Sequence, residues 1–363
     1  MTVFGTGKLE DVQTRMNVYL QQLKAGLDDL HLSISAPKSS VTLLTKETQQ
    51  ICHMEHLLHV NIEGDRIPVK KNPKILGVTL DPQLMFHEHV ADVNKRMRRN
   101  TNVLKALAST KEGQDKETLL ATYKAIGRSL PDYAAPVWST NASKSSFGKL
   151  QVAQNGALRV ALGVHKMAHE DHLHVESKML KVREHADMLS AQYLAKCYNQ
   201  QHVCHELSRP PDLTQFPRDK FISLTRKHRD WVEATRIWDP GGAANCRQAM
   251  KDIHVQAVAR AMGSRGNNRV LGEKPPPVSS REKRLSRKAR CTLSQLRSGF
   301  SIFTNSYRSI ISNTPDVCPN CQGAPHDTNH LFACPARRTA LTVRDLWMKP
   351  AATTKFLQLD REA

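Results

Sequence analysis

The sequence predicts an α+β protein that is predominantly helical, and three observations carry that reading. Short alternating runs separated by turn residues crowd roughly the first ninety positions. From His87 to about residue 235, apolar residues recur instead at steps of three and four. Near the end, "CPNCQGAPHDTNHLFACP" gathers three thiols and two imidazoles, a density suited to a small metal-clipped module.

The opening "MTVFGTGK" reads as a short strand closing in a glycine turn. Val12, Met16, Tyr19, Leu23, Leu27 and Leu30 then recur at helical spacing and define an amphipathic helix. "LHLSIS" and "VTLLT" alternate as strands on either side of the "APKSS" turn. Further extended pieces are predicted around "HVNIEG" and "KILGVTLD". Beyond His87 the first helical stripe is Val90, Val93, Met97, Leu104 and Leu107. The second, Leu119, Tyr123, Ile126 and Leu130, ends at Pro131. A third runs from Phe147 through Leu150 and Leu158 to Gly163, a residue type suited to a C-terminal cap. A longer helix carries Leu189, Tyr193 and Cys197 and stops before Pro210 and Pro211.

Residues 238–290 change character, with "DPGG", "GSRGNN", "EKPPPVSS" and the charge run "REKRLSRKAR". They predict a basic, Pro/Gly-rich linker with a helical piece inside it. The expected organisation is therefore a β/α segment over 1–88, a helical region over 89–237, the linker over 238–290 and a metal-binding tail over 291–363.

Lys and Arg total 53 against 34 Asp and Glu, a formal charge of +19. That excess attracts polyanions, and nucleic acid is the expected partner. No run approaches the roughly 18 consecutive apolar residues of a membrane span, and the first residues carry no apolar secretory core. An intracellular setting, nuclear or cytoplasmic, follows as the expectation, with the eight cysteines as thiols or metal ligands rather than disulfides.

Cys318 and Cys321 have the two-residue spacing that lets both thiolates of a tight turn reach one ion. His330 and Cys334 lie four apart, one helical turn. Soft ligands in that layout favour tetrahedral Zn2+, and four protein ligands leave no open position, so the ion would be structural. His326 is a spare donor four residues before His330. Other clusters are weaker. "CHMEHLLH" and "HEDHLH" lack paired spacing and read as solvated histidines. Asp28 and Asp29 end a helix, whereas a two-metal polymerase centre needs its paired acids on a hairpin turn.

Taken in order, several segments resemble one family, the reverse transcriptases (RNA-directed DNA polymerases) of non-LTR retrotransposons, above all the Jockey-like group. "LHLSISAPKSSVTLLT" resembles the segment after the catalytic hairpin, and "ILGVTLDPQLMFHEHV" the passage from palm into thumb. "SLPDYAAPVWS" and "LQVAQNGALRVALG" look like the helical region beyond. "LSQLRSGFSIFTNSYRSII", the cysteine cluster and "LTVRDLW" look like the family's C-terminal tail. The combination of "QLRSG", the cluster and "DLW" is the specific part.

The resemblance implies a palm remnant, a helical thumb and a zinc knuckle. It places Met1 just after the [FY]-A-D-D motif that holds the catalytic aspartates. The expectation is thus a chain that binds RNA or an RNA–DNA hybrid but does not polymerise alone, Mg2+ belonging only to the intact family enzyme. Lys38 would occupy the position of the family's lysine after the hairpin, and Gly77 that of the primer-grip glycine. Lys95, Arg96, Arg98 and Arg99 would track phosphates from the thumb. Arg281, Lys283, Arg284, Arg287, Lys288 and Arg290 would do so from the linker, and Phe332 is the best candidate for stacking on a base. The competing expectation is a non-enzymatic, zinc-stabilised protein-interaction module from a domesticated element.

Overall fold

The computed structural model describes residues 2–109, 113–197, 231 and 246–359. They form two compact units, one of residues 1–92 with 141–143, the other of residues 93–140 with 144–363.

In the first unit the expected helix spans Leu9–Asp28. Its inward residues are Met16, Leu20 and Leu23, which pack with Ala36, Val60, Ile62 and Ile67, while Tyr19 and Leu30 are exposed. Among the described residues, neither "MTVFGTG" nor "LHLSIS" forms a strand. "VTLLT" contributes only a single parallel bridge, Val41 to Val69. A strand needs a partner for its N–H and C=O groups, and alternation alone does not supply one. Pairing happens later and locally. β1 (Asn61–Ile62) meets β2 (Asp65–Arg66) through a Glu63-Gly64 turn. β3 (Lys74–Ile75) meets β4 (Val78–Thr79) through Leu76-Gly77. Both turn residues have positive φ in each case, 54° and 89° then 46° and 86°, the geometry of tight two-residue hairpins. "KILGVTLD" is therefore a hairpin and not one extended strand.

In the second unit the His87–Leu107 helix buries Val93, Met97 and Leu104. The Lys116–Tyr123 helix starts on Asp115, whose Oδ1 accepts the Thr118 N–H at 2.9 Å. It continues through a π turn, Lys124–Arg128, into Ser129–Asp132, with Pro131 in the last turn. The wider turn carries Arg128 inward, where Nη1 donates to the Leu180 carbonyl at 3.1 Å and Nε to His185 at 3.0 Å. The Lys144–Leu162 helix buries Phe147, Leu150 and Leu158. It ends at Gly163, whose φ of +68° suits the cap, and a Cβ there would lie 2.3 Å from Cys291 Sγ. Space as well as backbone demands glycine.

The Val182–Cys197 helix carries the Leu189 stripe; its expected end before Pro210 and Pro211 lies outside the described residues, as does "DPGG". The rest of the expected linker is built into the second unit. Cys246–Ser264 is a helix whose Ile253, Ala257 and Ala261 pack against Met188, Ala191, Leu194 and Ala195. Arg265 is buried and grips Glu184 with both terminal nitrogens, at 2.7 and 2.6 Å. Asn268 donates to the Arg297 carbonyl at 3.0 Å.

His174, from the run read as solvated, is fully buried. Its Nδ1 sits 2.8 Å from the Met179 carbonyl, so Nδ1 donates. Nε2, 2.9 Å from the Gln151 amide nitrogen, must then accept. Burial is the main cause that lowers its pKa to about 4. The unfolded ring binds a proton near pH 6.5 and the folded one does not, so this contribution is complete above 6.5 and is lost toward pH 4. His174 alone then costs about 2 kcal/mol between pH 7.5 and 5. Urea titrations of the native chain and His174→Gln at both pH values check this, the variant losing less on acidification.

Candidate metal centre

Cys318 starts a tight knuckle. Its N–H donates to the Gly323 carbonyl at 2.8 Å while its carbonyl accepts the Gln322 N–H at 2.9 Å. That ring turns the Cys321 thiol back over the same space, and the Gly323 N–H points at it from 3.4 Å. The other half comes from the short helix His330–Ala333, held at its start by Asp327, whose Oδ1 accepts the His330 N–H at 2.8 Å. One turn later Cys334 completes the set.

The four donor atoms, three Sγ and one imidazole nitrogen, all lie within 4.8 Å of one another. Cys318 and Cys334 sulfurs are 3.8 Å apart, and Cys321 Sγ is 3.2 Å from His330 Nε2. Zinc–ligand bonds of about 2.0 to 2.3 Å in a tetrahedron give ligand–ligand edges of about 3.3 to 3.8 Å. The donors fit, and the site could hold a metal ion such as zinc.

Electrostatics point the same way. Burial opposes charge at Cys318, but the N–H groups of Asn320 and Cys321 and the side chains of Cys321 and His330 outweigh it, lowering the thiol to about 6. At Cys321 the Gly323 N–H favours the thiolate, yet burial and the neighbouring Cys334 and Cys318 sulfurs outweigh it and raise the pKa. One thiolate makes the next costly unless a cation joins them.

His326, the expected spare donor, is engaged elsewhere in this structure. It is buried outside the group of four, and its Nδ1 accepts the Asn305 N–H at 3.0 Å. Its own N–H donates to Asp316 at 2.8 Å, so it pins the knuckle to the Asn305–Ser312 helix. Phe332 is half-buried against the neighbouring core, its ring 6.0 Å from Phe356.

The centre stands on a packed base. Thr328 donates to the Leu296 carbonyl at 3.2 Å, and Leu331 joins a core with Leu293, Leu296, Leu346 and Trp347. Beneath lies a charge network that sequence reasoning missed. Arg297, of "QLRSG", is fully buried; Nη1 donates to Glu176 at 2.8 Å, Nη2 to Glu282, and Nε to the Leu346 carbonyl of "DLW" at 3.1 Å. Lys116 bridges the same two acids at 3.2 and 3.0 Å. Two of the motifs carrying the resemblance are thus in direct contact.

The expected nucleic-acid contacts divide. Lys38 is the last residue of a single 3-10 turn in the first unit and is exposed, and Gly77 sits at the exposed tip of the β3–β4 hairpin. Lys95, Arg96, Arg98 and Arg99 are exposed on their helix, as are Arg281, Lys283 and Arg284 on the 3-10 turn Ser280–Arg284 and Lys288 on the helix after it. Arg287 and Arg290 turn inward. Arg287 donates to the carbonyls of Ala161 and Val160, closing the end of the 144–162 helix, and buried Arg290 pairs with Glu117 at 2.7 Å. Asp28, exposed, pairs with Lys24 at 3.3 Å. No helix among the described residues is long and apolar enough to cross a membrane.

Comparison with known proteins supports a relationship to retrotransposon reverse transcriptases. The chain is similar to an RNA-directed DNA polymerase of transposon X-element from Drosophila melanogaster, 28% identical over 155 residues. The match covers 42% of this chain and 17% of that protein, so the chain spans well under two thirds of its relative. No protein-family model matches the chain, and no solved structure does.

Proposed function

We propose that this chain is the nucleic-acid-holding part of a Jockey-like retrotransposon reverse transcriptase, with a structural zinc centre closing its tail. The similarity to the transposon polymerase carries this reading, and the exposed basic side chains supply the chemistry. Lys95, Arg96, Arg98 and Arg99 neutralise phosphates from one helix, and Arg281, Lys283, Arg284 and Lys288 from the turn and helix start near residue 285. Within the first unit, taken by itself, Lys38 and the Leu76-Gly77 hairpin tip are the proposed backbone contacts. Zn2+, held by Cys318, Cys321, His330 and Cys334, would supply rigidity and no reaction. RNA or an RNA–DNA hybrid is the partner. Asp28 and Asp29 are not arranged to share two magnesium ions, so they are not proposed as a polymerase centre, and holding nucleic acid rather than extending a primer is the proposed role.

The test is salt dependence. With roughly six phosphates neutralised, log affinity for RNA falls against log salt with a slope near −5. Reversing Lys283 and Arg284 to glutamate lowers affinity for every sequence alike and takes about 2 from that slope. Binding that persists unchanged at moderate salt would overturn the reading and favour a protein-interaction module. Template-directed synthesis by the purified chain would overturn its non-catalytic part.

A further inference from the structure

A row of rings and cations crosses the second unit between the loop after Gly163 and the start of the 305–312 helix. Arg269 lies with its guanidinium carbon 4.7 Å from the centre of the Phe300 ring. Phe300 meets Tyr307 edge-on at 6.0 Å, and Tyr307 meets His165 edge-on at 4.9 Å. The two middle rings are buried and the two ends are not: Arg269 is exposed and His165 half-buried. Lys166 follows His165 and Arg308 follows Tyr307 in the chain, both exposed, with Ile302 at 59% exposure. The Arg308 Nε donates to the Ile302 carbonyl, which steadies a side chain that would otherwise sweep through solvent.

Three features set this row apart from an ordinary packed edge. Its flat groups, one guanidinium and one imidazole, are backed by buried aromatic rings and so are held in place. The Tyr307 hydroxyl is buried with no hydrogen-bond partner among the described residues. His165 Nδ1 accepts the Met167 N–H at 3.4 Å, so its neutral form carries the proton on Nε2, free to donate. Burial, and then Lys166, lower the pKa of His165 and keep the ring neutral at pH 7. A neutral ring stacks on a base, a guanidinium plane does the same, and Lys166 and Arg308 add charge within reach of phosphates.

We propose that Arg269 and His165 form a base-stacking platform for single-stranded nucleic acid, with Lys166 and Arg308 contacting its phosphates. This deepens the nucleic-acid reading above and rests on it. It also moves base contact away from Phe332, which is half-buried and packed against Phe356. Sequence-tolerant stacking is expected, because every base offers a flat face.

The experiment uses the full zinc-loaded chain and two fluorescent probes of roughly twelve nucleotides, one of ordinary uridines and one abasic at matched charge. Anisotropy titration should show the uridine probe binding about tenfold more tightly than the abasic one. In Arg269→Ala/His165→Ala that ratio falls toward one, while His165→Phe, which keeps a ring, retains it. Lys166→Glu/Arg308→Glu weakens both probes alike and takes about 2 from the salt slope. Zinc content and melting temperature confirm that each variant is folded, and His165→Phe with Arg269→Ala alone carries the test if the double variant is not. Salt-dependent binding with no difference between probes, or a difference untouched by the variants, overturns the platform and leaves the broader reading standing. Failure of both probes to bind at low salt removes both.

Discussion

Cys318→Ser/Cys321→Ser yields a chain with no stoichiometric zinc, and the damage reaches beyond the knuckle. With two thiolates gone, His330 and Cys334 remain as a bidentate remnant too weak to retain the ion at neutral pH. Structural zinc contributes on the order of 10 kcal/mol in small modules that fold on it, as much as a typical domain's whole stability. Sequence spacing alone suggests loosening limited to about residues 315–340. The structure predicts more, because Leu331 packs with Leu293, Leu296, Leu346 and Trp347, and Thr328 holds the Leu296 carbonyl. Hydrogen exchange should therefore quicken in the second half of the Arg287–Ser298 helix and around Asp345–Leu357 as well, while Lys144–Leu162 stays protected by its own core. Metal content by elemental analysis and exchange by mass spectrometry read both parts. Unchanged zinc removes the ligand assignment, and exchange confined to 315–340 shows the knuckle to be an appendage.

What the sequence made legible was local. The stripe of Phe147, Leu150 and Leu158 with Gly163 behind it needs only its own helix to declare itself, and it forms as expected. The four metal donors lie within seventeen residues, so spacing brings them together before any tertiary structure exists. Where a partner lies far away, the same reasoning failed. "MTVFGTG" and "LHLSIS" have strand alternation and pair with no strand among the described residues, while the Leu76-Gly77 turn was hidden inside an apolar run because leucine seldom takes a positive φ.

Charge misled most. "REKRLSRKAR" looks like solvated linker, yet Arg287 reaches carbonyls 126 and 127 positions earlier, and Arg290 reaches a carboxylate 173 positions earlier. Nothing in a basic run distinguishes the arginine that faces water from the one that fastens a helix end. The same holds for His174, whose burial depends on Met179 and Gln151 and not on its own neighbours in "HEDHLH". Contacts by exposed cations are therefore better tested at Lys283, Arg284 and Lys288 than at the arginines that flank them.

Arg297→Ala should cost about 3 to 5 kcal/mol, the range for stranding buried charges. Its guanidinium is fully enclosed, and Glu176 and Glu282 are nearly so, with Lys116 as their other cation. Burial alone would raise the Glu176 pKa, but Arg297 and then Lys116 overcome it and lower it to about 2. In the native chain this carboxylate's contribution is complete above the unfolded value near 4.5 and is lost as pH falls toward 2. Remove Arg297 and the sign changes, since burial now favours the protonated acid and the loss grows as pH rises past 4.5. The cost of Arg297→Ala is therefore larger at pH 7.5 than at pH 5, a trend a mere cavity would not show. Urea denaturation at both pH values measures it. Arg297→Met/Glu176→Leu should recover part of the loss, because apolar groups of similar volume leave fewer charges stranded while Lys116 still serves Glu282. A cost below about 1 kcal/mol and independent of pH would mean that water enters and screens the network. The contact between "QLRSG" and "DLW" would then be a matter of packing rather than charge.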